Sequence, residues 1–440
     1  MENSKIGVII CNYNKRSFLK KCVESILSQT YQNMDVCVVD NASSDDSVQM
    51  LRESFGNQVT VLCNEENVGG AGGFDCGLEY YMKKNCSYVL LVDNDTRYDK
   101  HALEIMYNYM EMNADVGMCG ASILQMGNPD FIQEIGGMID YNQYEIVPNY
   151  RNNRITSEIP KEIDCDFLAA CSLLIRREVI EKVGVMRRDY FVYWDDIEWS
   201  RRCKDMGYRL VALRDAHVWH NWSADVITKF NAFTEYYGRR NKLRFFATYI
   251  EEKDIDLFID NALRNMFNII YGHYRKGAFQ EMKASIYALD DMIHGVWGKA
   301  PAIKTSVENV AEIPLEKLLK TKKEVWLFPN AQMGNDGGIS AIERVVRFCN
   351  PKIKIVVQDS NMQSPEAVSD DVLYMKPCPH VMRVTKNILP IVQVDRFLNC
   401  IATEEDYEFF QNYENAYGLF YRLYEPLMKE GVKKIRESSK

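Results

Sequence analysis

Short apolar runs alternate with amphipathic stretches over the first 125 residues of this chain. The runs have the length of buried strands, and the stretches between them repeat apolar side chains at the spacing of a helix. Strands that alternate with helices predict a mostly parallel sheet with right-handed crossovers. The predicted strands are Ile6–Cys11, Val36–Asp40, Val59–Leu62, Tyr88–Val92 and Gly117–Ile123. We therefore expect an α/β fold.

The intervening helices are predicted from apolar spacing and from capping residues. Apolar side chains from Phe18 to Leu27 share one helical face. A second helix is predicted to be capped by Ser43 or Ser44. Its first turn would contain Asp45 and Asp46, where the helix dipole favours anions. Further helices are predicted at Phe74–Lys84 and His101–Met112.

The rest of the chain predicts further elements and two more regions. Strands are expected at Phe167–Ile175 and Tyr208–Leu213, and helices at Arg176–Val183 and Asp195–Met206. Helical patterns continue over 231–249 and through much of 255–297. After a composition shift near 301–323, a second and smaller strand–helix alternation begins. We expect an α/β domain over 1–250, a helical extension over 251–322, and a small C-terminal α/β domain with a helical tail over 323–440.

Composition limits the partners and the location of the chain. It has 53 Lys and Arg against 62 Asp and Glu, a formal net charge of -9. Because nucleic acid is bound through basic side chains that neutralise phosphates, no nucleic-acid partner is expected. Thirteen cysteines without a CxxC pair, and a start that does not read as a signal peptide, predict reduced thiols and a cytoplasmic location. No apolar stretch reaches the roughly 18 residues of a membrane span, so membrane contact is expected to be peripheral at most.

Polar clusters follow the predicted strands, and the strongest of them is Asp93-Asn94-Asp95 after Tyr88–Val92. Ligands of parallel sheets bind beyond the carboxyl ends of the strands, where these side chains would lie. Two carboxylates two residues apart can share a hard divalent cation such as Mg²⁺ or Mn²⁺. The cation could then bridge a substrate diphosphate.

The glycine-rich segment Asn67–Phe74 is predicted to open a helix after the third strand. Glycines let backbone N–H groups approach a phosphate or a sugar, and a helix N-terminus favours an anion. A tight turn with no ligand explains the same residues. The segment is not GxGxxG and does not follow the first strand, which disfavours an NAD-binding oxidoreductase.

Two acidic residues begin a later predicted helix at Trp194-Asp195-Asp196. The helix dipole stabilises an anion there, and an ionised carboxylate that faces a sugar hydroxyl can act as a general base. An ordinary acidic helix start gives the same pattern.

Histidines and tryptophans cluster after the Tyr208–Leu213 strand. An imidazole from His217 or His220 could join two carboxylates in a Mn²⁺ site, and aromatic faces such as Trp219 and Trp222 pack well against sugar rings. Each histidine could equally be a structural hydrogen-bonding group.

A basic stretch at Arg239–Lys242, continued by Arg244, lies within the helical pattern that follows. Two interpretations remain open for it: a solvated helix face, or a surface that contacts a diphosphate or an anionic membrane.

Six motifs in order resemble the inverting family 2 glycosyltransferases of GT-A fold, most closely bacterial galactofuranosyltransferases and rhamnosyltransferases. The resemblance covers about residues 5–250 and implies that 1–250 is the catalytic domain. The motifs are Ile6–Asn14, Val38–Asp46, Asn67–Gly77, Leu90–Thr96, Trp194–Glu198 and Val218–Trp222.

The resemblance implies donor-binding roles for residues at the strand ends. Asn12, Tyr13, Asn14 and Asp40 would hold the nucleotide. Asn12–Asn14 lacks the basic residue that relatives often have just after the first strand, although Lys15 and Arg16 follow, and position 41 is Asn where many relatives have a second acid. Further donor contacts would come from Asn67, Gly69, Gly70, Phe74, Asp93 and Asn94.

The resemblance also implies the reacting groups. Asp93, Asp95 and His220 would bind Mn²⁺ or Mg²⁺, with Asp95 the firmer carboxylate ligand. Asp196 would be the base that deprotonates the acceptor hydroxyl, and Asp195 would bind the acceptor. The acceptor side would be lined by Trp194, Trp219 and Trp222.

The implied reaction transfers galactofuranose or rhamnose from a UDP- or dTDP-linked donor. The acceptor would be a growing cell-surface glycan or a lipid-linked oligosaccharide, and the chain could form a homo-oligomer. Two alternatives stay open at this stage. One is a nucleotidyltransferase acting on sugar phosphates, although Asn12–Asn14 is not its expected glycine- and Lys/Arg-rich loop. The other is a non-catalytic protein that binds nucleotide sugars.

Overall fold

The computed structural model describes residues 5–221, 231–305, 314–333, 338–359, 368–381, 384, 389–395 and 399–438. The chain divides into two compact units. The first comprises Met1–Ser223, Arg244–Ile250 and Trp297–Ala300. The second comprises Ala224–Leu243, Glu251–Val296 and Pro301–Lys440.

The first unit begins with the predicted alternation of strands and helices. Its elements are β1 (Ile6–Asn12), α1 (Arg16–Leu27), β2 (Met34–Asp40), α2 (Ser47–Phe55), β3 (Val59–Cys63), α3 (Gly69–Met82), β4 (Tyr88–Asp93), β5 (Thr96–Tyr98), α4 (Ala102–Met112), β6 (Val116–Gln125) and β7 (Asn128–Glu134). It continues with β8 (Gly137–Asp140), β9 (Glu145–Pro148), β10 (Glu162–Asp164), β11 (Ser172–Arg176), α5 (Arg177–Val183), α6 (Asp195–Asp205) and β12 (Arg209–His220).

One sheet organises these elements, with strand order β10-β12-β6-β11-β4-β1-β2-β3. Strands β1, β2, β3 and β4 pair in parallel, as does β12 with β6. The antiparallel β11 separates β4 from β6. The prediction of a mostly parallel sheet flanked by helices is therefore confirmed, and this is the architecture that the resemblance implied under the name GT-A.

Two apolar clusters cover the two faces of this sheet. Because side chains alternate along a strand, Val8 and Ile10 pack with α1, α2 and α4, whereas Ile9 packs with α3, α5 and α6. Both faces are apolar, as expected for strands that are covered by helices on each side. In the central strands β1, β2 and β4 the polar residues lie near the strand ends.

The start of the second helix was predicted wrongly. Helix α2 begins at Ser47, so Asp45 and Asp46 precede it, and Ser43 and Ser44 do not cap it. The loop is held elsewhere: Asp45 Oδ2 accepts from the N–H of Arg16 at 2.8 Å. These contacts to other segments outweigh the local capping signal.

Three other boundaries also differ from the predictions. Helix α3 begins at Gly69, earlier than the expected Phe74, because its glycines pack closely against neighbouring segments. Strand β11 begins only at Ser172, since Ala170 instead donates its N–H to the Asp196 side chain. Strand β12 runs on past Leu213 to His220 through an irregular register.

A basic helix connects the first long segment of the chain to the helices that follow. It is α7 (Ala232–Tyr249), and two of its arginines are buried rather than solvated. Arg240 is fully buried and its guanidinium donates to Tyr236 Oη at 3.1 Å. Arg244 is 5% exposed. The interpretation of this stretch as a basic surface is therefore wrong for both side chains.

The second unit contains the predicted small α/β domain and helices around it. Its elements are α8 (Ile255–Arg275), α9 (Phe279–His294), α10 (Pro314–Lys320), β13 (Glu324–Leu327), α11 (Ile339–Cys349), β14 (Lys354–Val357), β15 (Val372–Pro377), β16 (Val392–Val394), β17 (Cys400–Ile401), α12 (Glu404–Gln411) and α13 (Tyr413–Ser438). The sheet has strand order β14-β13-β15-β16-β17 and is parallel except for β17. Among the described residues, no helix is long and apolar enough to cross a membrane.

Candidate active site at the strand ends of the first unit

The carboxyl ends of three neighbouring parallel strands are tied together by buried side chains. Asn94, which follows β4, donates its amide to Asn12 Oδ1 at 2.6 Å, and Asn12 donates to Asp40 Oδ1 at 2.7 Å. All three residues are at most 7% exposed. Such a satisfied buried network fixes the backbone of the strand ends, and with it the two aspartates on either side of Asn94.

Asp93, Asp95 and His220 converge at this edge. One ligand atom from each lies within 4.8 Å of the others. Pairing of β12 with β5 sets His220 opposite Thr96, so its Nε2 is 3.2 Å from Asp95 Oδ1 and 3.9 Å from Asp93 Oδ2. Two carboxylates and an imidazole are donors that suit Mn²⁺, and their spacing fits a shared divalent cation.

Gln133, at the end of β7, orients the imidazole. Its Oε1 lies 3.0 Å from His220 Nδ1. A carboxamide oxygen can only accept, so Nδ1 carries the hydrogen and Nε2 faces the carboxylates. Metal-binding histidines commonly have such a partner on the other ring nitrogen. Sequence reasoning missed Gln133, which is 6% exposed and carries no motif signal.

The two carboxylates of the cluster differ in acidity. Burial raises the pKa of Asp93 to about 6, which the positive charge of His220 only partly offsets. Burial would also raise the pKa of Asp95, but the hydrogen bond and charge of His220, with the charge of Lys15, lower it to about 2. Asp95 is thus the carboxylate that stays ionised over a wide pH range.

Lys15 is a second residue at this cluster to which the sequence reasoning assigned no role. Its ammonium forms a close ion pair with Asp95 Oδ2. The Lys15 side chain is 44% exposed, whereas that of Asp95 is 5% exposed. The only sequence signal was its place just after the Asn12–Asn14 cluster.

The loops after β1 and β2 bring the predicted nucleotide residues around Ser43. Ser43 Oγ accepts from the amide of Asn12 at 3.1 Å and from the backbone N–H of Asn14 at 3.0 Å. Asp40 accepts the Ser43 N–H at 2.8 Å, and Tyr13 is 46% exposed. Asn12 and Asp40 are therefore bound to each other, and Tyr13 presents its ring to solvent beside them.

The glycine-rich segment is divided between packing and open surface. Asn67 Oδ1 accepts the Gly69 N–H at 2.8 Å. Gly69 has φ +79°, and a Cβ there would lie 2.0 Å from the carbonyl oxygen of Phe191. A Cβ on Gly70 would meet nothing within 4 Å. Phe74 is 3% exposed and packs in the core. Of the predicted donor residues Gly69, Gly70 and Phe74, Gly70 is therefore the one that faces open space.

A strained segment leads into the paired aspartates. Phe191, Tyr193 and Trp194 have φ values of 66°, 64° and 68°, a conformation that non-glycine residues rarely adopt. Trp194 is 8% exposed and packs on Phe245 and Phe246, with ring centroids at 5.4 and 5.6 Å. This packing holds the first residues of α6 in place.

Asp195 and Asp196 begin α6 with different surroundings. Asp196 Oδ2 accepts the N–H of Ala170 at 3.2 Å, and its Oδ1 accepts the N–H of Ile197 at 2.8 Å. Burial raises the pKa of both carboxyls, and the charge of Asp196 raises that of Asp195 further. The hydrogen bonds from the backbone N–H groups of Ala170 and Ile197 favour the ionised form of Asp196. We therefore assign the negative charge of the pair to Asp196 and the proton to Asp195.

Arg244 anchors the segment just before the strained residues. Its guanidinium lies between the rings of Tyr190 and Trp297, at 4.3 and 4.4 Å from their centroids, and donates to Asp189 Oδ2 at 2.7 Å. Because Asp189 and Tyr190 directly precede Phe191, this contact supports the path to Asp195 from a residue far along the chain. No local pattern pointed to it.

Of the two tryptophans predicted after the Tyr208–Leu213 strand, Trp219 and Trp222, the structure describes Trp219. Trp219 donates its indole N–H to the carbonyl of Pro129 at 3.3 Å, and the Arg97 guanidinium lies 5.0 Å from its ring. His217 packs edge-on to Trp219 at 6.4 Å. Trp222 lies outside the described residues.

Comparison with known proteins finds a family match over part of the chain. Residues 7–184 match the model of glycosyl transferase family 2. The dTDP-rhamnosyl transferase RfbF of Shigella flexneri is 26% identical over 223 residues, 50% of this chain and 69% of its own. The galactofuranosyltransferase GlfT2 of Mycobacterium tuberculosis is 24% identical over 177 residues, 36% of this chain and 28% of its own.

Coverage of other relatives is partial. The glycosyltransferase GlyA of Streptococcus pneumoniae serotype 4 is 31% identical over 26% of this chain, and the match spans 16% of GlyA. The glycosyltransferase AglE of Haloferax volcanii is 25% identical over 48% of this chain, and the match spans 64% of AglE. Among solved structures, Staphylococcus aureus TarS 1-349 aligns over 66% of this chain and 81% of its own with a TM-score of 0.43 and 16% identity. The chain carries a glycosyl transferase family 2 domain, which residues 7–184 span.

Proposed function

We propose that the chain transfers a sugar from a nucleotide diphosphate donor to an acceptor hydroxyl with inversion, with Mn²⁺ or Mg²⁺ bound by Asp93, Asp95 and His220. The observation that carries the proposal is the approach of this cluster to the paired aspartates of α6. The charge of Asp196 raises the pKa of Asp93, so the two groups are within electrostatic reach. A metal site and a base at one edge of the sheet are the groups that such a transfer needs.

The ligand atoms of Asp93, Asp95 and His220 are suited to a divalent cation. When present, a divalent cation neutralises charge that develops on the departing diphosphate. Asp95 and Asp93 offer oxygen ligands, and Gln133 keeps His220 Nε2 directed at them. Since the strand-end network fixes Asp93 through its neighbour Asn94, little reorganisation is needed to hold an ion there.

Asp196 acts as the base in this proposal. It takes the proton of the acceptor hydroxyl, whose oxygen attacks the anomeric carbon as the bond to the diphosphate oxygen breaks on the opposite face. That single displacement inverts the configuration and needs no protein nucleophile. The N–H groups of Ala170 and Ile197 hold the carboxylate in position for the transfer. Asp195, in its protonated form, donates to another acceptor oxygen.

Donor and acceptor are held by separate groups in the proposal. Asn12, Tyr13, Asn14 and Asp40 surround the nucleotide, and the acceptor meets Asp195, Trp194 and Trp219. The donor contacts continue along Asn67, Gly69, Gly70 and Asn94, and the buried Phe74 supports this segment from the core. We take 1–250 as the catalytic domain, 251–322 as a helical extension and 323–440 as an accessory domain.

The substrates are proposed from the relatives that the chain resembles. RfbF is named a dTDP-rhamnosyl transferase and GlfT2 a galactofuranosyltransferase, which supports dTDP-rhamnose and UDP-galactofuranose as the first donors to test. The acceptor we propose is a cell-surface glycan or a lipid-linked oligosaccharide, reached by peripheral contact with the inner face of the membrane.

A donor panel tests the function. The full chain is incubated with UDP- and dTDP-sugars and mono- or oligosaccharide acceptors in Mn²⁺, Mg²⁺ or EDTA, and release of nucleoside diphosphate is measured. We expect release that EDTA abolishes and an inverted anomeric signal in the NMR spectrum of the product. Release of pyrophosphate instead would indicate a nucleotidyltransferase, and donor binding without turnover would indicate a binding protein. Turnover that EDTA leaves unchanged would contradict the metal assignment.

A further inference from the structure

One lysine lies where a divalent cation is proposed to bind. Lys15 Nζ forms an ion pair with Asp95 Oδ2, while His220 Nε2 lies 3.2 Å from the other oxygen, Asp95 Oδ1. Both oxygens of the firmer carboxylate ligand therefore have a cationic partner. A metal ion bound to Asp95 Oδ2 would have to share or take the place of the Lys15 ammonium.

The Lys15 backbone is fixed although its side chain is half-exposed. Its carbonyl accepts the N–H groups of Phe18 and Leu19 at 3.0 and 2.9 Å, because Lys15 is the residue before the first turn of α1. The side chain has four rotatable bonds and borders a cavity of about 730 Å³ between α1 and α2. The ammonium can therefore leave Asp95 without any movement of the backbone.

We propose that Lys15 holds the place of the cation and couples metal binding to nucleotide binding. Before the substrates bind, its ammonium neutralises Asp95. When a divalent cation is bound, Lys15 releases Asp95 and its ammonium turns to the oxygens of the donor diphosphate. This inference rests on the proposed function, since it takes Asp93, Asp95 and His220 as the metal ligands.

Electrostatics gives the direction of the coupling. Without a nucleotide, Lys15 competes with the metal for Asp95 and its charge repels the ion, so metal binding is weakened. A diphosphate supplies the displaced ammonium with a new anionic partner, so metal binding is restored. Each ligand must then strengthen the binding of the other by the same factor.

Direct metal titration tests the inference without any turnover. Mn²⁺ is titrated into the full-length wild type, Lys15→Met, Lys15→Gln and Lys20→Met, and free Mn²⁺ is followed by electron paramagnetic resonance. Each titration is repeated with UDP and, in parallel, with dTDP. Lys20→Met is the matched control, because Lys20 lines the same cavity and the substitution makes the same change in charge and side-chain length as Lys15→Met.

We expect Lys15→Met and Lys15→Gln to bind Mn²⁺ alone about two- to fivefold more tightly than the wild type, the range for losing one competing ion pair that is partly screened by water. The gain in Mn²⁺ affinity on adding nucleotide should shrink in both variants. Lys20→Met should follow the wild type in both measurements. Equal affinity and equal coupling in wild type and both Lys15 variants would overturn the inference.

A further variant separates this inference from the proposed function. His220→Ala should lose Mn²⁺ binding. If the wild type binds no Mn²⁺ with or without a nucleotide, the metal assignment fails and the Lys15 role fails with it. If the wild type binds Mn²⁺ and His220→Ala does not, but the Lys15 variants match the wild type, only the Lys15 role is refuted.

Discussion

Replacement of Asp196 by Asn is the sharpest test of the proposed chemistry. The side chain keeps its size and loses its ability to take a proton. The two N–H groups that now bind its carboxylate, from Ala170 and Ile197, would share one oxygen in place of two. We expect a folded protein that binds its donor and has lost most of its transfer activity.

The expected magnitude combines two effects. A general base contributes about 10²–10⁴-fold to a rate, which is about 3–5 kcal/mol of the barrier. One backbone N–H left without its acceptor costs about 1–3 kcal/mol of folding free energy. Removal of the buried charge of Asp196 offsets part of that cost, because burial disfavours the ionised carboxylate and raises its pKa. The change in stability should therefore stay small while the rate falls steeply.

The assay measures nucleoside diphosphate release together with donor affinity. Turnover is followed at saturating donor and acceptor, and donor binding is measured by calorimetry without acceptor. Thermal unfolding checks that the variant is folded. Because Asp195 loses its charged neighbour in this variant, it could take over part of the proton transfer, so the double variant Asp195→Asn/Asp196→Asn is measured alongside.

A rate for Asp196→Asn within about threefold of the wild type would refute the assignment of Asp196 as base, since the expected loss is at least about 100-fold. Loss of donor binding equal to the loss of rate would point instead to a role in holding the donor. A double variant no slower than Asp196→Asn would exclude compensation by Asp195.

Three further outcomes follow from the site. Gln133→Leu should weaken Mn²⁺ binding about 10–100-fold, because His220 loses the partner that orients its ring. Gly69→Ala should lower the melting temperature strongly, since its Cβ would clash with a backbone carbonyl at a positive φ. Transfer should rise with pH through a range above that of an ordinary aspartate, because the base must be ionised and burial raises the pKa of the pair. Asp195→Asn should shift this rise to lower pH.

Each of these outcomes has its control. Gly70→Ala should melt at about the wild-type temperature, because open space surrounds that position, and a similar loss in both glycine variants would contradict the packing argument. Gln133→Glu keeps an acceptor for the imidazole and should retain metal binding. A rate that is flat from pH 5 to pH 8 would contradict a raised carboxyl pKa in the pair.

The fold of the first unit was predictable because its information is local. Strand length, helical spacing and the polar residue after each strand can be read within a window of about ten residues. Parallel strands bring their carboxyl ends to one edge, so Asn12, Asp40 and Asp93 were expected together, and the hydrogen bonds between their loops confirm it. The small α/β domain of the second unit was found by the same reasoning.

Local signals failed where contacts with distant segments are stronger. The capping residues before α2 bind the loop after β1 instead of the helix. Arg240 and Arg244 appeared to form a basic surface, yet both are buried, and Arg244 is held between aromatic rings. Charge alone does not tell whether a long side chain is solvated or neutralised by neighbours that arrive from elsewhere in the chain.

The sequence on its own was sufficient for the strands, for the edge where the polar residues gather and for the acidic groups there. The groups that tune those acids came from the folded chain: Lys15 is 80 residues from Asp95, and Gln133 is 87 residues from His220. Neither contact leaves a periodic pattern, because a single side chain meets its partner through the register of strands far apart in the chain. Backbone geometry is encoded by repeated local preferences, whereas the protonation and orientation of a site depend on contacts that exist only after the sheet has formed.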